Sequence, residues 1–78
     1  MAASRIIAAL PLSDREREIV ALLCQDLSDK SIADRLGLTA GTVKQYQKNI
    51  RRKLGCASRV GVALLAVGYS LFGVKTEN

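Results

Sequence analysis

The sequence has no histidine and no tryptophan, one proline, two cysteines and three aromatic residues. Each shortage removes a class of function. Without histidine, the commonest general base and metal ligand is missing. Cys24 and Cys56 form neither a CxxC pair nor a quartet, so a zinc site would need ligands that the chain lacks. They read as reduced, buried thiols of a cytoplasmic protein. There is no glycine-rich phosphate loop, and the carboxylates sit at helix starts rather than in facing pairs, so catalysis has nothing to stand on. No cofactor is implied. Long apolar runs are missing too: the stretch after Arg59 is roughly fifteen residues and as a helix would span about 22 Å, short of the roughly 30 Å hydrocarbon core. The short run Ile6 to Leu10 is too brief for a signal peptide.

Acid of any kind is scarce in the second half. Six of the seven acidic residues (Asp14, Glu16, Glu18, Asp26, Asp29, Asp34) precede Arg35, and from there to Thr76 the chain carries eight cations and no acid. The net charge of +5 is therefore strongly polarised, which suits a polyanionic partner. The 78 residues make one small domain with a core of Leu, Ile, Val and Ala. Within it, Thr39 to Leu54 carries Lys44, Lys48, Arg51, Arg52 and Lys53 and no acid. As a helix, this segment turns Val43, Ile50 and Leu54 inward and presents cations elsewhere. Such cations repel one another unless a polyanion lies alongside. A merely solvated basic surface is the bland alternative.

Start and stop signals divide the chain into helices. Residues 1–10 form a short helix or a frayed arm, ended by Pro11. Ser13 and Glu16 make a capping box for a helix from Asp14 to about Gln25, with Ile19, Leu22 and Leu23 inward. Ser28 caps a second helix to Leu36, with Ile32, Ala33 and Leu36 inward and Gly37 as its stop. Thr39 caps a third, Ala40 to about Lys53, stopped by Gly55. Ser58 caps a last helix from Arg59 to about Leu71, ending at Gly73. The expected fold is all-α, with four firm helices. The second and third, joined through Gly37-Leu38-Thr39, form a helix-turn-helix with small Ala33 at the crossing.

From Leu12 to about Phe72 the sequence resembles the LuxR-type (GerE- or FixJ-type) DNA-binding domain of bacterial transcription regulators. The matching blocks are LSDREREI from Leu12, LSDKSIADRLGL from Leu27, GTVK from Gly41, IRRKLG from Ile50, and Ser58-Arg59. Three positions depart from the family pattern: Tyr46 replaces the usual His, Asp26 replaces a helix-closing Gly, and Gly61 stands where an acid or amide is usual. The resemblance implies a four-helix fold, dimerisation through the last helix and near-palindromic operators. It divides the chain into an arm (1–11), the DNA-binding domain (12–74) and a tail (75–78), as in free-standing single-domain members. The expected partners are double-stranded DNA and a second copy of the chain, with RNA polymerase or a larger LuxR-type regulator as further candidates and no membrane. The alternatives are an inhibitor that heterodimerises with such a larger regulator, and a sigma-factor region-four fragment. The KLG stop and the SR-capped last helix argue against the latter.

Lys44, Gln45 and Lys48 fall on the outward face of the third helix, where the family places base contacts; Lys can donate to guanine O6 and N7, and Gln can pair with adenine. Thr39 and Thr42 at the helix start favour a phosphate, and Lys30, Arg51, Arg52 and Lys53 meet phosphates in this reading. Tyr46 packs at the core edge with its hydroxyl toward a phosphate. The last helix carries two apolar stripes: Val60, Leu64, Val67, Leu71 and Val74, and Val62, Leu65, Tyr69 and Phe72. One closes the core and the other is left for a partner. Val62, Leu65, Tyr69 and Phe72 are the expected dimer stripe.

Overall fold

A computed structural model describes residues 2–68 as five helices: α1 (Ala2–Ala9), α2 (Asp14–Leu23), α3 (Asp29–Leu36), α4 (Ala40–Leu54) and α5 (Arg59–Ala66). No strand occurs among these residues. The capping chemistry sets most boundaries. Ser13 Oγ accepts from the Glu16 amide at 3.2 Å, and Glu16 Oε1 accepts from the Ser13 amide at 2.8 Å, completing the capping box of α2. Ser28, Thr39 and Ser58 each accept from the amide three residues on. A cap of this kind stabilises its helix by about 1 kcal/mol. Gly37 and Gly55 close α3 and α4 in the left-handed region, at φ +70° and +69°. Both turns are sealed by a bond back into the helix, from the Leu38 amide to the Ala33 carbonyl and from the Cys56 amide to the Arg51 carbonyl, each 2.9 Å. Asp26 takes the same left-handed role after α2, at φ +60°; its short polar side chain tolerates that region better than most.

Two extents differ from the sequence reading. Helix α2 stops at Leu23, because the Gln25 and Asp26 amides bond to carbonyls three residues back and tighten the chain into the left-handed turn. At the N-terminus, the helical form is the one found. Helix α1 packs on α2 and α5 and contributes Ile7 to the core, so the segment expected as an arm joins the body of the domain. Beyond Gly68, the expected continuation to Leu71 and the stop at Gly73 lie outside the described residues.

Ile19, Val20, Ile32, Val43, Ile50 and Val62 are fully enclosed and draw one core from α2, α3, α4 and α5. Each such side chain contributes about 1.5–3 kcal/mol of burial. Ala33, 2% exposed, sits where α3 meets α4; its single methyl lets the two backbones approach.

In the last helix, the position of Val62 differs from the sequence expectation. Val62 is 1% exposed and belongs to the core, and Leu65 is half-buried. Val60, Leu64 and Val67 are the exposed stripe, at 62%, 36% and 48%. Val62 is therefore a core residue rather than part of a dimer stripe. Tyr69 and Phe72, the other two residues of the expected dimer stripe, lie outside the described residues.

Candidate nucleic-acid interface

Helix α4 is the platform of the site, held by α3 across the Gly37-Leu38-Thr39 turn and by α2 behind it. Its inner face is Val43, Gln47 and Ile50, all buried. The opposite face puts Lys44, Gln45 and Lys48 in solvent together. Gln45 Nε2 lies 3.5 Å from Asn49 Oδ1, a weak bond that leaves Gln45 donor and acceptor capacity for a partner. Tyr46 is partly buried against the core and lines a shallow cleft with Thr42, Gln45 and Asn49.

At the start of α4, Thr39 Oγ1 accepts from the Thr42 amide at 3.1 Å and shares a 2.9 Å hydrogen bond with the Thr42 hydroxyl. The two threonines cap the helix together, and both remain exposed. Lys30, in the first turn of α3, and Arg52, near the end of α4, are exposed; Arg51 is half-buried. Among the described residues, Lys30, Lys44, Lys48, Arg51 and Arg52 form no ion pair with a carboxylate. A concentration of uncompensated charge raises the local potential, and it costs self-repulsion until an anion binds.

Lys53 differs from these cations in having an acidic partner. Its Nζ donates to both oxygens of Glu16 at 2.9 Å, tying the end of α4 to the start of α2. The ammonium expected on a phosphate thus has a carboxylate partner, while 41% of the Lys53 side chain remains exposed. Glu16 is 4% exposed. Burial pushes its carboxyl pKa up, but the Ser13 amide and the Lys53 ammonium more than offset that, so the net shift is downward.

Sequence reasoning also missed a polar joint on the inner side of α4. Gln47 Nε2 donates to Asp29 Oδ1, and the same oxygen accepts from Arg59 Nη1 at 3.1 Å; Arg59 Nη2 donates to the Leu27 carbonyl. The signal was present, since Gln47 stands four residues after Val43 and three before Ile50, on the inward face of α4. Burial pushes the Cys24 and Cys56 thiols up, so neither is an activated nucleophile at neutral pH. No group of three or more acidic or cysteine side chains placed to hold a metal ion occurs among the described residues, and none of their helices is long and apolar enough to cross a membrane.

Residues 10–66 match the family model of the bacterial regulatory proteins, luxR family. The chain belongs to the LuxR family. This LuxR-family domain is 36% identical over 61 residues to the transcriptional regulatory protein MctR of Rhizobium johnstonii, covering 78% of the chain and 28% of MctR. It is 40% identical over 62 residues to the transcriptional regulatory protein LnrK of Bacillus subtilis, covering 80% of the chain and 28% of LnrK. Against the nitrate/nitrite response regulator protein NarL of Escherichia coli K12 the identity is 43% over 53 residues, 68% of the chain and 24% of NarL. The chain thus spans about a quarter of the length of these relatives.

Proposed function

We propose that this LuxR-family domain is a sequence-specific DNA-binding regulator of transcription, working in the cytoplasm as a homodimer on an inverted-repeat operator. The observation that carries this reading is the outward face of α4: Lys44, Gln45 and Lys48 exposed together, flanked by cations with no acidic partner among the described residues. A helix of that chemistry fits the major groove, where Lys reads guanine and Gln reads adenine. Lys30, Thr39, Thr42, Arg51 and Arg52 surround that face and serve the phosphates, with the Tyr46 hydroxyl at its edge. The exposed stripe Val60, Leu64 and Val67 supplies the two-fold contact that an inverted repeat requires. An inhibitor that only captured a larger relative through that stripe would need no cationic reading face. The unpaired charges therefore favour the regulator.

Salt tests the phosphate part. With Lys30, Arg51 and Arg52 of each protomer on phosphates, about six cations per dimer, log affinity should fall against log salt with a slope of about −5, and Arg52→Ala should flatten that slope by about two while leaving sequence preference unchanged. Titration of a duplex across salt concentrations measures it. An affinity indifferent to salt would refute the DNA-binding reading.

Selection from random duplexes tests the base part. Lys44→Ala, Gln45→Ala and Lys48→Ala should each lose about 1–3 kcal/mol of discrimination at separate operator positions, in contrast to the uniform weakening expected of Arg52→Ala. If all three variants select the wild-type motif, the reading face is not the one on α4.

A further inference from the structure

We infer that Asp29 is a positioning residue that locks the α4 reading helix to the α5 dimer helix and so sets the half-site spacing the protein accepts. The inference rests on the homodimer reading above. Its basis is the bridging oxygen. Asp29 Oδ1 receives Gln47 from α4 and Arg59 from α5, and Arg59 also holds the Leu27 carbonyl just ahead of α3. Three elements meet at one carboxylate.

The joint lies between the two working faces. Gln47 is 5% exposed and lies on the inner face of α4 with Val43 and Ile50, whereas Lys44 and Lys48 are exposed. Arg59 is the first residue of α5 and precedes Val60, the most exposed residue of the open stripe. Among the described residues, no other side-chain hydrogen bond joins α5 to α3 or α4. The rest of that packing is apolar core, which favours contact without fixing direction. Hydrogen bonds from a planar guanidinium and an amide are directional and fix an angle.

That angle has a consequence on DNA. Adding one base pair between half-sites moves one of them by about 3.4 Å and turns it by about 35° around the duplex. A dimer whose reading helices are rigidly tied to a common two-fold contact accepts one spacing and rejects its neighbours. A dimer with a loosened tie accepts several.

The test uses the whole chain and a set of duplexes carrying the selected half-site as an inverted repeat, with spacers varied one base pair at a time. A duplex with a single half-site serves as reference. For the wild type, binding should peak at one spacer and fall about tenfold at its neighbours, because a linked second site contributes only where geometry permits. In Asp29→Ala the fall should shrink to about threefold or less, with single half-site affinity within about twofold of wild type. Losing an acid near DNA strengthens every duplex alike, so ratios between spacers are unaffected. Gln47→Met keeps the volume, removes only the α4 arm of the joint, and should flatten the profile in the same way if Asp29→Ala fails to fold. A variant profile as sharp as wild type overturns the inference. So does an equal loss at every spacer and at the single half-site, which marks a purely structural role. A wild-type protein that gains nothing from a second half-site refutes the homodimer reading itself, and the spacing role falls with it.

Discussion

Leu64→Glu should yield a folded monomer whose affinity for a full inverted repeat drops by about 10²–10⁴ while binding to one half-site persists, because avidity of that size comes from linking two sites. Leu64 is 36% exposed at the centre of the stripe formed with Val60 and Val67. A carboxylate there is solvated in the monomer and stranded only when a second copy covers it. The mirror-image substitution, Val62→Glu, has the opposite character. Val62 is 1% exposed, so its charge would enter the core and abolish folding rather than pairing. Sedimentation reports the mass, circular dichroism the helices, and operator titration the affinity. A Leu64→Glu protein that still pairs and binds the full repeat as wild type does would exclude this stripe as the dimer contact.

The burial of Val62 shows where local patterning stops being informative. Caps and stops depend on neighbours a few residues away, so Ser13, Ser28, Thr39 and Ser58 could be read directly, as could Gly37 and Gly55. The helix-turn-helix followed from the same local chemistry plus the charge pattern of α4. The last helix is apolar on two sides, and periodicity cannot tell which side meets the core. Its rotation is set by a distant partner. Arg59 is drawn toward Asp29, and residues three and seven further on, Val62 and Ala66, share that inward side. Val60, Leu64 and Val67 are then left outward. The packing of α1 through Ile7 depends equally on contacts far along the chain.

The Lys53–Glu16 pair is hidden from local patterning for a related reason: in a run of three basic residues, sequence alone does not say which one borders the core. Lys53 follows Ile50 by three positions, which brings it over the buried face and within reach of Glu16. Lys53→Met should therefore cost stability. Removing one member of a fully buried pair costs roughly 3–5 kcal/mol. The Lys53 side chain is 41% exposed and the Ser13 amide still serves Glu16, so solvent screening and that bond reduce the expected loss to about 2 kcal/mol. For a domain of this size that corresponds to a melting temperature lower by about 10 °C. The pH response follows from the sign of the shift. Glu16 has its pKa depressed in the folded state, so its contribution is fully present above the ordinary value of 4.5 and is lost as pH falls through the lower folded value. Without Lys53 the depression is smaller, and the acid limb of stability against pH should flatten relative to wild type. In a double-mutant cycle, Lys53→Met should cost much less in a Glu16→Gln background, where no carboxylate is stranded. The same variant separates the two roles of the basic run, because it should leave the salt slope of DNA binding unchanged while Arg52→Ala flattens it. If Lys53→Met instead melts as wild type does, keeps its acid limb and flattens the salt slope, the ammonium serves a phosphate, and the contact with Glu16 contributes nothing to the fold.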